Sequence, residues 1–222
     1  MTKEAQARLL AGKATILGNS DSGAIAARAL AQAGVGTLTL VDASPKALTR
    51  SSQTLAERKS FGDTKVILKA LPLSDSRTEE LLSHSTVVID ALADWQDKLA
   101  LSDICMHARV PLIHAGVVGF RFQFFSMLPG RSACLRCALP LSGIDDVPLE
   151  PVKPGKVGAV LEMVGAWQAI EALKLIARVG ASQGNELFKV DCLSGEFEIV
   201  RGLDAQSDCP DCGAKSKRRG RA

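Results

Sequence analysis

The chain of 222 residues contains no run of 18 apolar residues. A membrane-spanning helix is therefore not expected. Its first residues, MTKEAQARLLAGK, lack the apolar centre of a secretory signal. These two absences predict a cytoplasmic protein. No internal repeat is visible. A basic body is lacking as well. Net charge is +3, but Lys215, Lys217, Arg218, Arg219 and Arg221 all lie in the closing stretch AKSKRRGRA, and without those five charges the total falls to −2. The body thus offers no general nucleic-acid face. Residues 214–222 are expected to form a disordered, solubilising tail.

What remains is rich enough for a full core, with 46% hydrophobic residues. The length suits a single domain over residues 1–213. Short apolar strands are predicted at Ala14–Leu17, Thr37–Val41, Lys65–Ala70, Val87–Asp90 and Pro111–His114. Helical stretches alternate with them at Ala24–Ala33, Pro45–Ser60, Glu79–Ser83 and Trp95–Ala108. The alternation predicts an α/β fold, a Rossmann-like parallel sheet with helices on both faces. From Phe120 the pattern changes. Phe120–Met127 reads as a strand of a more open sheet. Residues 141–157 hold Pro148, Pro151 and Pro154 and read as a surface crossover. Gly158–Val179 reads as one helix, nearly apolar all round and so buried. Leu187–Leu193 and Glu196–Arg201 flank Ser194-Gly195 and read as a hairpin, extending the sheet with antiparallel strands.

Two Cys-x-x-Cys pairs stand in this second half: Cys134, Cys137, Cys209 and Cys212. Four thiolates match the tetrahedral preference of zinc. Gly213 leaves room where the second knuckle turns. Disulfides fit poorly with a cytoplasmic chain, and a thioredoxin-like motif needs one pair opening a helix rather than two in loops. A closed four-sulfur zinc site with a structural role is the expectation. Cys105 and Cys192 fall in a helix and a strand pattern and are assigned to the core.

Several stretches together carry a family likeness. They are ATILGNSDSGAIAARALAQAGVGTLTLVD (14–42), VVIDALADWQDKLALSDICMHARVPLIHAGVVGF (87–120), CLRC (134–137), GKVGAVLEMVGAWQAIEALKLI (155–176), LSGEFEIV (193–200) and CPDCG (209–213). In that order they resemble the ThiF/MoeB/HesA group, bacterial relatives of ubiquitin-activating enzymes. The resemblance implies ATP and Mg²⁺ binding at the glycine loop. It implies adenylation of the C-terminal glycine of a ubiquitin-fold sulfur carrier of the ThiS or MoaD kind. It also implies a dimer, with itself or with a related subunit.

Against that pattern, the chain departs where phosphate is handled. The family loop Gly-x-Gly-Gly-x-Gly keeps Gly18 and Gly23, but Ser20 and Asp21 replace its central glycines. A carboxylate there repels a nearby phosphate charge by roughly 3–4 kcal/mol at an intermediate dielectric. At the end of the second strand Asp42 is kept, and Ser44 stands for the ribose-binding Asp. Arg50 is the remnant of the cationic segment that follows. In Asp-x-x-Asp-Asn-x-x-x-Arg the metal-binding Asp falls on Ala93, Asp94 comes one residue late, and Lys98 replaces the Arg. The 141–157 crossover holds no cysteine.

Three readings follow for the cleft, whose cofactor-side candidates are Gly18, Ser20, Asp21, Gly23, Asp42 and Ser44. The favoured one is a family member with reduced or lost adenylation, acting as a pseudoenzyme or partner subunit. In the second, Asp94, Lys98 and Arg50 act as shifted catalytic residues of an active adenylyltransferase. The third places another small ligand or a dinucleotide in the same cleft. No hydride-transfer constellation accompanies the glycines, since His84, His107 and His114 stand alone. His114, at a strand end facing the cleft, is the one histidine with a candidate ligand role.

Overall fold

The computed structural model describes residues 1–49, 63–139, 157–182 and 184–213. Its centre is an eight-stranded sheet in the order β3-β2-β1-β4-β5-β6-β7-β8. The strands are β1 (Lys13–Leu17), β2 (Thr37–Asp42), β3 (Lys65–Ala70), β4 (Val87–Asp90), β5 (Leu112–Val118), β6 (Arg121–Met127), β7 (Glu186–Asp191) and β8 (Glu196–Arg201). β1 to β5 pair in parallel, and β6 to β8 continue antiparallel. The expected Rossmann-like sheet with an antiparallel extension is thus observed. Neighbouring β1 and β4 lead away in opposite directions across the sheet. At such a reversal of strand order the connections diverge and leave a crevice beyond the carboxyl ends of the strands.

Helices cover both faces. Lys3–Ala11, Asp21–Gln32 and Gly158–Ala177 share one core with Ile16, Ile89, Ile113 and Phe124. On the opposite face Leu101 and Cys105 of Trp95–His107 pack with Val88, Leu112, Phe125 and Met127. Cys105 is fully buried, as expected. Cys192 is half-buried against the first core.

Several boundaries differ from the sequence expectations; β5, expected over Pro111–His114, runs on to Val118, and the long helix ends at Ala177 rather than Val179. Helix 21–32 starts before Ala24 because the Ser20 side chain accepts the Gly23 N–H and caps it. Asp75 caps helix Ser76–Ser83 in the same way, adding a turn before Glu79. Helix 3–11, unforeseen in the sequence, is capped by Thr2 and buries Ala5 and Leu9. Helix 158–177 brings a correction of another kind. It is not buried all round, since Met163 is 42% and Ile170 56% exposed. No described element covers that side. The inner side buries Val160, Val164, Ala169 and Ala172, and Trp167 packs on Phe122, Phe124 and Phe188. The predicted helix Pro45–Ser60 is helical over residues 45–49 and then leaves the described residues, as do Arg50, most of the 141–157 crossover and the 214–222 tail. Among the described residues no helix is long and apolar enough to cross a membrane.

Candidate functional site

A cleft of about 1030 Å³ opens at the carboxyl ends of β1, β2 and β4. Gly18, Ser20, Asp21, Asp42, Asp94 and Lys98 line it; Gly23 and Ser44 do not. The two glycines are required by close packing. Gly18 has φ +100°, and a Cβ there would lie 2.4 Å from the Ala91 carbonyl oxygen. A Cβ on Gly23 would lie 2.4 Å from the Ala91 Cβ. The strand-to-helix turn therefore keeps its glycines with or without a nucleotide. Ser20 and Asp21 also have local work. Ser20 is the N-cap and Asp21 sits in the first turn of helix 21–32, where a negative charge suits the helix dipole.

The other candidates resolve similarly. One Asp42 oxygen accepts the Ser44 N–H at 2.7 Å, and Ser44 Oγ accepts the Ala47 N–H. Asp94 caps helix 95–107, accepting the N–H groups of Gln96 and Asp97. Ala93, where a metal-binding carboxylate was missing, lies on the cleft wall. Arg50 lies outside the described residues.

Lys98 is the surprise of the site. It is 7% exposed. Its ammonium donates to both oxygens of Asp90 at 3.0 Å and to the Ala115 carbonyl at 2.9 Å. His114 donates from Nδ1 to Asp90 Oδ2 at 2.7 Å, and both residues are buried. His114 thus lies beneath the cleft, off its described lining. Burial disfavours the Asp90 carboxylate, but the Lys98 charge and the His114 hydrogen bond prevail and hold it below the usual range. Burial likewise pulls the His114 ring below its ordinary value, outweighing the attraction of Asp90. The imidazole is accordingly neutral near pH 7, with its proton on Nδ1.

Asp90 was the site residue the sequence concealed. Its signal was a carboxylate closing the buried apolar strand Val87-Val88-Ile89, a position that demands a counter-charge. The described lining as a whole carries six aspartates, Asp21, Asp42, Asp90, Asp94, Asp97 and Asp103, and the single cation Lys98.

Beside the cleft lies the cysteine corner. The sulfurs of Cys134, Cys137, Cys209 and Cys212 lie within 4.8 Å of one another, and all four residues are buried. Cys134 and Cys209 sulfurs are 3.7 Å apart, and those of Cys137 and Cys212 3.6 Å. A tetrahedral zinc with bonds of ~2.3 Å has sulfur–sulfur edges near 3.8 Å, so the donors fit such an ion. Burial pushes the Cys134 thiol up, and the Cys212 thiol up to about 12. Metal-free, these two positions resist becoming thiolates; a dication is what offsets that cost. Gly213 is needed here, because a Cβ on it would meet the Cys209 carbonyl oxygen at 2.5 Å.

Helix 95–107 joins the two sites. Its Asp103, on the cleft wall, takes a two-pronged ion pair from Arg136, which stands inside the first knuckle. Ser102 Oγ accepts the Leu135 N–H. His107 lies 3.5 Å from Asp211 of the second knuckle.

The ThiF family model matches residues 52–211. The chain belongs to the ThiF family. That match begins beyond the glycine loop. Among the chain's relatives is the SAMP-activating enzyme E1 of Haloferax volcanii, 28% identical over 95% of this chain and 83% of that protein. The sulfur carrier protein ThiS adenylyltransferase of Escherichia coli is 28% identical over 96% of this chain and 90% of its own length. Bovine adenylyltransferase and sulfurtransferase MOCS3 is 29% identical over 96% of this chain, which spans only 50% of it. The crystal structure of E. coli MccB with ATP superposes with a TM-score of 0.79 at 20% identity, covering 95% of this chain and 68% of that one. At that identity the likeness is one of fold. The ThiF-family frame is thus intact around a cleft whose described charges are mostly negative.

Proposed function

We propose that this ThiF-family protein serves cytoplasmic activation of a ubiquitin-fold sulfur carrier as a partner subunit or pseudoenzyme, with adenylation of its own reduced or lost. The observation that carries this reading is the cleft wall. Among the described residues its one cation, Lys98, is spent on Asp90, and Asp94 is spent on a helix cap. A triphosphate brings several negative charges to a wall that already carries six carboxylates, and no uncommitted cation among the described lining residues meets transition-state charge. Losing one such donor costs ~10²–10³ in rate. The carrier partner is inferred from the named roles of the relatives.

A zinc ion on Cys134, Cys137, Cys209 and Cys212 has the structural role in this reading. The exposed Met163 and Ile170 support a dimer. Phe197 and Ile199 of β8 are also exposed and pair opposite Val190 and Phe188, which belong to the core on the helix 158–177 side. Light scattering should show a dimer, with a copy or a related subunit; a monomer at high concentration contradicts it.

Calorimetry with Mg-ATP and pyrophosphate exchange with a ThiS-like carrier test the main reading. Weak or absent binding and no exchange are expected. Asp21→Gly with Ala93→Asp should improve ATP binding more than either change alone. Micromolar binding with exchange by the unaltered protein would favour the alternative, an active adenylyltransferase using Asp94, Lys98 and Arg50. The size and position of the cleft support that second reading.

A further inference from the structure

The cleft floor contains more cationic capacity than one buried carboxylate needs. Asp90 accepts from Lys98 and from His114, on different elements. It also fixes the cleft's rims. Asp90 Oδ1 accepts the Leu92 N–H at 3.0 Å and so shapes the turn after β4. Ala91 in that turn accepts the Ser20 N–H at 3.2 Å and donates to the Leu17 carbonyl at 2.9 Å. The backbone carbonyl of Asp90 accepts Gln168 Nε2 of helix 158–177 at 2.9 Å. The glycine-loop rim, helix 95–107, β5 and helix 158–177 therefore all meet at this residue.

We propose that Lys98 and His114 are alternative counter-charges for Asp90, and that through Asp90 they position the Ala91–Asp94 turn against the glycine-loop rim. In the resting protein Lys98 carries the charge and His114 stays neutral as a hydrogen-bond donor. A second cation would overfill a site with one negative charge. Without the Lys98 ammonium, His114 takes a proton on Nε2, a buried atom with no partner among the described residues, and becomes the cation. The charged and titratable groups around the imidazole bear this out. Asp90 comes from β4. Helix 95–107 contributes Lys98 and also Cys105, whose buried thiol feels the Asp90 charge. The Gln168 amide of helix 158–177 bonds the Asp90 and Ile113 backbone carbonyls rather than the ring, and the paired residue on β6 is Phe125. Trp95 packs edge-on against the ring. No second carboxylate among these groups competes for the proton. The assignment holds whether or not the cleft adenylates.

The test uses the purified, metal-loaded full chain and the variants Lys98→Met, Lys98→Arg and Lys98→Met/His114→Gln. Nitrogen-15 spectra of the His114 ring are followed against pH. In the unaltered protein and in Lys98→Arg the ring should titrate below about 6.5, the usual histidine value. In Lys98→Met it should titrate above it. The stability slope should reverse as well. Unaltered protein gains stability as pH rises through the region near 6.5, because the unfolded chain binds the extra proton. Lys98→Met should lose stability as pH rises, because its folded state holds that proton. Amide exchange at Ser20 and Leu92 should be about tenfold faster in Lys98→Met at pH 8 than at pH 6, with unrelated sheet amides unchanged. The double variant should show no recovery in acid. If Lys98→Met fails to fold at pH 8, recovery at pH 6 is required. An unshifted His114 titration in Lys98→Met overturns the proposal, and so does failure to recover at any pH or equal exchange at both.

Discussion

The cysteine corner and the glycine-loop cleft share one helix, and they contrast in how far chemistry fixes geometry. At the corner four sulfurs lie within 4.8 Å of one another, close enough to share one ion. That arrangement serves one kind of occupant. At the cleft the candidate residues have second occupations, as caps, turn formers and a buried ion pair. Such residues can be retained for folding after any ligand role has gone. A metal knuckle has no comparable fallback, because four buried thiols without a cation gain little from proximity. The contrast teaches that residues with a local folding role say less about a ligand than residues whose only shared feature is a common point.

The sharpest way to break the contrast is at the corner. If the corner holds zinc as proposed, Cys209→Ser should release it and give the largest loss of stability among these changes, since the binding energy of such an ion adds to folding free energy. Elemental analysis should read one zinc per unaltered chain and less in the variant. Amide exchange should rise first in β7, β8 and the 202–213 segment, and later in β1. Exchange that rises uniformly would mean the corner is not a local staple.

Next comes the floor of the cleft. Asp90→Asn leaves the Lys98 charge buried without its partner, an arrangement that costs ~3–5 kcal/mol. The acid limb should change too. Asp90 is held below its usual carboxylate value, so its contribution is complete above that value. It is lost as pH falls through the lower folded value. Denaturant unfolding between pH 2 and 7 should show this limb flattened in the variant.

A smaller effect is expected at the loop. Gly23→Ala forces a methyl against the Ala91 Cβ and should cost ~1–3 kcal/mol. Adding Ala91→Gly should restore most of it, because the clash is with that one atom. No rescue would mean that the helix start, rather than the contact, requires glycine.

The smallest change separates cap from ligand. Asp94→Ala should cost ~1 kcal/mol, whereas Asp94→Asn, itself a good cap, should cost little. If Asp94→Asn instead alters Mg-ATP binding measured by calorimetry, Asp94 acts as more than a cap.

Much of the fold was legible because apolar runs and turn residues are local signals. Lys65–Ala70, Val87–Asp90 and Glu196–Arg201 were placed to the residue. Helix 3–11 was missed because it offers the core only Ala5 and Leu9, too little to mark a periodic face. The exposed side of helix 158–177 was missed because apolar character reports what a surface prefers, not whether a neighbour exists. At the site, the four cysteines were brought together as their spacing suggested. Ser20 and Asp94 were weighed as nucleotide residues, though both occupy cap positions that local sequence also announces. The Lys98 pairing was hidden for another reason. Asp90 is eight residues away, but the buried setting of the pair is completed by His114 and Ala115 of β5, further along the chain.

Helix 95–107 is a rod of 13 residues, about 20 Å from end to end. It lines the cleft from Asp97 to Ile104, and its last turns also brace the knuckles. One rigid element thus carries side chains of both sites, so the place of Asp94 and Lys98 in the cleft and the contacts of Ser102, Asp103 and His107 with the knuckles are set by a single helix axis.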